Sequence, residues 1–145
     1  MPAGSITAAN AIVMLTVPEL FLTPQQLQGF AADDVYDTDG INSVETMMGV
    51  DGRLSGGFVF VPVAQNYALQ ADSDSVRFFD TWWTQMQAAQ DVYPANGTVL
   101  LPAVGKKFTM TRGFLTGYKP IPDAKRVLQP IRFAITWNRV APSPA

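Results

Sequence analysis

"SVRFFDTWWTQMQAAQDVY", residues 75–93, is the one segment of the chain that reads convincingly as a helix, and its neighbours take their roles from it. At about 100° per residue, Val76, Phe78, Phe79, Trp82, Trp83, Met86, Ala89 and Tyr93 fill an arc of roughly 160°. Arg77, Asp80, Thr81, Thr84, Gln87 and Asp91 take the opposite side. A helix resting on one sheet needs an apolar arc of only about 100° or a little more. The excess comes from Phe78 and Trp82 on one flank and Trp83 on the other. Either strands and loops of the same chain wrap both flanks, or a second subunit covers one of them, a task for which large aromatics are suited. Upstream, "ADSDS" (71–75) offers N-cap candidates, with Asp72 and Asp74 near the positive end of the helix dipole. The helix is expected over about 74–92, ending before Pro94 and an Asn96-Gly97 turn.

Every other ordered segment has the look of a strand. "AIVMLTV" (11–17) is a dense apolar run closed by Pro18, and "QQLQGFAA" (25–32) is a more exposed candidate. The acidic, turn-rich "DDVYDTDGINS" (33–43) reads as a loop. "VETMMGVDGRLSGGFVFVPV" (44–63) reads as two strands around an Asp51-Gly52 turn, with "NYALQ" (66–70) continuing the second beyond Pro62. After the helix come "GTVLLPAV" (97–104), "KKFTMTRGFLTGYKPIP" (106–122) and "LQPIRFAITWNRV" (128–140). The last alternates cleanly, placing Ile131, Phe133, Ile135 and Trp137 on one face. Residues 1–10 read as a loose arm and 141–145 as a tail. The expected order is β-β-β-β-α-β-β-β in a single domain spanning 1–145. The fold class is mainly β: an antiparallel β-sandwich or partly open barrel with one flanking helix.

Charge is scarce and unevenly placed. Charged residues are 15% of the chain, against roughly 25% in ordinary soluble proteins. Part of the surface is therefore expected to be covered by something other than water. Residues 1–74 hold nine acids and one base, Arg53, whereas residues 75–145 hold three acids and nine bases. The halves attract each other within one fold, or an acidic surface of one copy docks on a basic surface of the next. A net charge of -2 excludes a strongly basic nucleic-acid binder. The N-terminal apolar run is too short for a membrane span and lacks the basic flank of a signal peptide, so a protein made in a cytoplasm, with no membrane partner, is expected.

Chemistry finds little to work with. The chain has no His and no Cys, which removes the commonest general base, thiol nucleophiles, most transition-metal sites and any disulfide. Asp33, Asp34, Asp37 and Asp39 are close together but share one loop, whereas a glycosidase pair comes from separated rigid elements. Aligned as a calcium loop, Asp37, Asp39 and Gly40 fall at positions 3, 5 and 6, yet Val35 and Thr46 occupy the two strongest ligand positions. "SGG" (55–57) lacks the Lys of a phosphate loop. Lys107, Phe108, Arg112, Phe114 and Tyr118 interleave bases with aromatics in the manner of a single-strand nucleic-acid surface, against which the net charge argues. No catalytic residue, metal ligand or cofactor-binding residue is assigned, and no enzyme is expected.

Taken from end to end, the chain resembles the tail tube proteins of contractile-tailed bacteriophages and related injection machines. The likeness covers roughly residues 6–140: the strand "ANAIVMLTV", the acidic loop, the "VETMMGVDGRLSGGFVFVPV" hairpin, the "ALQADSDSVRFFDTWWTQMQ" strand-cap-helix, then "FTMTRGFLTGYKPI" and "IRFAITWNRV". It implies a structural virion protein forming hexameric rings that stack into a hollow tail tube, with adjacent sheets joined into an inner barrel. DNA would pass through the lumen without specific binding, and sheath and baseplate proteins would be neighbours. The segment 31–56 would be the arm that reaches another subunit. Candidate inter-subunit residues are thus Asp33, Asp34, Asp37, Asp39, Asp51 and Arg53 on the arm, with Phe78, Trp82 and Trp83 on the helix. The same fold serves the first baseplate ring and tube-terminating rings, which stand as an alternative. From another class, a β-sandwich that holds carbohydrate or a partner would use Trp82, Trp83 and Trp137 as exposed platforms.

Overall fold

The computed structural model describes residues 11–21, 23–28, 30 and 36–144. Nine strands and one helix follow in the order β1 (Ile12–Thr16), β2 (Gln25–Gln26), β3 (Tyr36–Thr38), β4 (Val44–Met48), β5 (Leu54–Phe58), β6 (Val63–Leu69), α1 (Val76–Ala89), β7 (Ala95–Leu101), β8 (Lys106–Gly117) and β9 (Ile131–Pro144). Seven of the strands make one open antiparallel sheet in the order β2-β1-β7-β8-β9-β6-β3; β4 and β5 make a separate hairpin. The fold is mainly β, antiparallel throughout its strand pairs, with a single helix, as the sequence pattern predicts.

Alternation decides which face is inside. On β9, Ile131, Phe133, Ile135 and Trp137 are buried while Arg132 is exposed. Val13 and Leu15 on β1, Val63, Tyr67 and Leu69 on β6, and Val99 on β7 complete that face. Both halves of the sheet feed one core cluster together with Phe78, Phe79 and Trp82 of the helix. Phe79 lies flat on Phe133, with ring centroids 4.2 Å apart and planes 7° from parallel. Two polar residues are buried among the described residues, Gln65 and Ser75, and Gln65 lies in the core face of the sheet. Its Oε1 accepts from Trp137 Nε1 at 3.0 Å and from the Tyr67 hydroxyl, and its Nε2 donates to Thr38 Oγ1 at 3.1 Å. With these bonds made, the buried amide costs little to leave in the core.

Where β7 meets β8 the register slips between Ala95 and Gly97, and Arg112 takes a left-handed φ of 48°. This is a bulge, with the Arg112 N–H held by Asn96 Oδ1 at 3.1 Å. The bulge brings Gly113 beneath the Trp137 indole, where a Cβ would stand 2.4 Å from the ring.

Several boundaries differ from the sequence expectation, each for a local reason. The helix is shorter than 74–92 because Gln90 turns left-handed (φ 53°) and its N–H returns to the Met86 carbonyl, closing the C-terminus. Ser75 occupies the N-cap position but does not cap its own helix; its Oγ accepts from the Gln28 N–H at 2.7 Å. Asn96-Gly97 is strand rather than turn, since Gly97 pairs with Leu15 and a Cβ there would lie 2.6 Å from the Leu15 side chain. Within the expected loop 33–43, Tyr36–Thr38 pairs with β6 as a short edge strand. The second strand of the 44–63 pair and its continuation separate into β5 and β6 on either side of Pro62. With β3, that split puts six strands before the helix instead of four. Of 25–32, Gln25–Gln26 pairs with β1, and Phe30 bridges to Leu69. Residues 141–144, expected as tail, extend β9 along β8 as far as Pro144↔Lys106. The expected N-terminal arm, 1–10, lies outside the described residues.

Gly113→Ala should therefore cost about 1–3 kcal/mol through overpacking against Trp137, read as a lower urea midpoint with an unchanged slope. A midpoint equal to the parent's would show that the Trp137 site has slack.

Candidate functional site

Phe78 and Trp82, two of the three helix residues expected at a subunit surface, turn inward. Trp82 is 0% exposed, and its Nε1 donates to the Tyr93 carbonyl at 2.9 Å. Phe78 is buried and stacks on Phe21 at 4.8 Å. The sheet and the segment before β2 wrap that flank, so both residues are core and neither offers a surface to a neighbour. Trp83 is half-buried and stacks on Tyr118 at 4.8 Å, 14° from parallel. Trp137 is also fully buried, so the exposed platform of three Trp needed by a carbohydrate module does not form.

Apolar surface is instead concentrated on the β4–β5 hairpin. All ten of its strand residues are exposed. Met47 is 78% exposed, and Met48, Leu54 and Phe58 stand equally free of the body. Val50 projects at the tip and Phe60 follows the second strand at 91% exposure. The ladder runs from Val44↔Phe58 to Met48↔Leu54 and closes at Gly49–Gly52, where Gly52 adopts a φ of 82°. Asp51 Oδ1 accepts from the Arg53 N–H at 3.1 Å and fixes the turn. Asp51-Gly52 is thus the turn that its sequence implies.

The acidic candidates divide. Asp33 and Asp34 lie outside the described residues. Asp37 is exposed on β3 and accepts from Asn66 Nδ2 at 2.9 Å, and the Asp39 N–H donates to the Ala64 carbonyl at 2.9 Å. Asp51 and Arg53 sit together at the hairpin tip, remote in the chain from the β3–β6 pair. Among the described residues no three carboxylates gather into a group able to hold a metal ion. The sequence reading placed the assembly surface on acids and helix aromatics and missed the hairpin's own apolar residues. A signal existed in Met47-Met48: adjacent apolar residues on a strand point to opposite faces, which a one-sided strand does not need.

Sequence reasoning also overlooked a second exposed apolar patch, on the β8–β9 connection. Ile121, Val127 and Leu128 are exposed there, beside Lys125 and Arg126. The connection is shaped by an Ala124↔Leu128 bridge and by Lys119 Nζ on Asp123 Oδ2 at 2.7 Å. The Lys119 hydrogen bond, with its charge, holds the Asp123 carboxyl below its ordinary range.

Near this connection, the Tyr118 hydroxyl donates to Asp80 Oδ1 of the helix. Burial, the hydrogen bond and the Asp80 charge push the Tyr118 phenol up to about 12. The folded state therefore favours the neutral phenol. That contribution is complete below the ordinary value of 10.0 and is lost as pH rises through about 12. Stability should fall across this alkaline window, and Tyr118→Phe should flatten the fall in a pH series of thermal melts. A separate pair of variants tests the helix assignment: Trp82→Ala should cost about 3–5 kcal/mol in chemical denaturation, several times the loss from Trp83→Ala.

Solved structures share this architecture. A chain of an extracellular contractile injection system sheath-tube complex, in its extended state, aligns over 98% of this chain and 93% of its own with a TM-score of 0.64 and 12% identity. A chain of the anti-feeding prophage tube-terminating cap aligns over 100% and 95%, with a TM-score of 0.64 and 11% identity. One from the anti-feeding prophage baseplate aligns over 99% and 97%, with a TM-score of 0.55 and 9% identity. At these identities the likeness is one of fold. No curated protein sequence matches the chain. A family model described as tail fiber protein gp32 matches residues 4–141, nearly the whole length, and the chain belongs to that phage tail protein family.

Proposed function

We propose that the protein is the repeating subunit of a contractile-tail tube, forming hexameric rings that stack around a lumen through which DNA passes. The observation that carries this reading is the β4–β5 hairpin, whose apolar residues stay exposed beside a body that already owns a full core. A monomer gains nothing by keeping such a surface in water. The open sheet supports the same reading. It ends in edge strands of two and three residues, β2 and β3, whose free sides can pair with another copy. Neighbouring sheets would then close into a barrel.

The face of the sheet away from the helix is suited to the lumen. Met14, Thr98 and Thr109 stand side by side across β1, β7 and β8 in the observed register. Farther along β8, Thr116 shares a hydroxyl contact with Thr136 of β9 at 3.1 Å. Hydroxyls line this stretch, while Lys107 and Arg132 alternate onto the same face. Phosphates there meet scattered cations and no basic cluster, which favours passage over binding. Sheath and baseplate proteins are the expected neighbours in the virion tail, with assembly in the bacterial host cytoplasm.

A tube-terminating or baseplate-proximal ring is the second reading, favoured by the cap chain's equal structural score. Polymerisation separates the two. The purified full chain should give hexamers by light scattering and tubes of stacked rings by negative-stain microscopy. Single rings that never stack point to the terminal position, and a monomer at high concentration overturns the tube reading. Replacing residues 44–58 by a short Gly-Ser linker should leave the melting cooperative and abolish stacking.

A further inference from the structure

The hairpin and the β8–β9 connection leave the sheet at opposite ends. The chain enters β6 from the hairpin at Val63, which pairs with Trp137; the far end of that ladder is Leu69↔Ile131, where the connection joins β9. Seven paired residues at about 3.3 Å each put roughly 20 Å of sheet between them. Their chemistry is complementary. From 36 to 60 the arm holds Asp37, Asp39, Glu45 and Asp51 against Arg53. The connection, 118–130, holds Lys119, Lys125 and Arg126 against Asp123, which Lys119 already engages. Each surface sets an exposed apolar residue directly beside its charge: Val50 next to Asp51, and Val127 next to Arg126.

Building on the tube reading, we propose that the hairpin tip of one copy docks on the β8–β9 connection of the next. Val50 packs on Val127 and Leu128, while Asp51 faces Lys125 and Arg126. Unlike surfaces make a heterologous contact, which closes into a ring if its rotation returns to the start and otherwise repeats. Running along the tube axis, from one end of the sheet to the other, it generates a stack with a fixed direction. Two tips meeting each other, each with Asp51 beside Arg53, would bring no acid to Lys125 and Arg126.

The chain has no cysteine, so a disulfide can report the contact without background. In the full chain carrying both Val50→Cys and Val127→Cys, mild oxidation should give a ladder of covalent multimers on a non-reducing gel. An equal mixture of the two single variants should give dimers and nothing larger, and either single variant alone should stay uncrosslinked. Asp51→Asn keeps the acceptor that closes the turn and should slow cross-linking roughly two- to fivefold. If microscopy shows tubes but the double variant does not cross-link, or Val50→Cys alone dimerises, this docking is wrong and the tube reading stands. If the parent chain forms no assembly, the tube reading falls and this proposal falls with it.

Discussion

Trp137 has to be buried, and most of the architecture follows from what that requires. An indole at this position needs a neighbour with no side chain, an acceptor for its N–H and an aromatic layer above the strand it belongs to. Gly113 supplies the first, Gln65 the second, and the Phe79–Phe133 stack the third. Gly113 reaches its place only because Arg112 bulges β8 by one residue, and the bulge is held by Asn96 on the next strand. One side chain thereby fixes the relation of β6, β7, β8 and β9. Gln65 carries the constraint to the sheet edge, because its second polar end is anchored on Thr38.

The same core accounts for the overloaded helix. Phe21 covers one flank through Phe78, and Tyr118 covers the other through Trp83. The wide apolar arc is therefore absorbed within the chain. What the chain does not absorb is the hairpin, all ten of whose strand residues stay exposed, together with the smaller patch on the β8–β9 connection. Most of the unspent hydrophobicity of this protein lies on an extension of the body, and a smaller share on Ile121, Val127 and Leu128.

Much of this was legible beforehand. Strand periodicity identified the buried face of β9 correctly, and the Asp51-Gly52 pair announced its turn. The helix wheel found the right excess and could not tell which layer would cover it, because a period locates a face without naming its partner. Asn96-Gly97 misled for a related reason. A glycine needed for close approach of Leu15 looks, in sequence, the same as one needed for a turn. Ser75 likewise resembles a cap, yet its hydroxyl is recruited by Gln28, forty-seven residues away in the chain. The exposed hairpin and the β8–β9 patch were hardest to see. Their residues are as apolar as core residues, and only the topology shows that nothing comes to cover them.

The hairpin has a thermodynamic consequence. A lone two-stranded ribbon with no buried side chains is marginal in water. Its ordering must then be offset by whatever surface receives it. In an assembly, a subunit already seated presents a receiving surface held in place, while two free subunits must each order one of theirs on meeting. Growth onto an existing end is thus favoured over spontaneous initiation. Starting a tube becomes the slow event, and length is governed by where and when initiation is allowed.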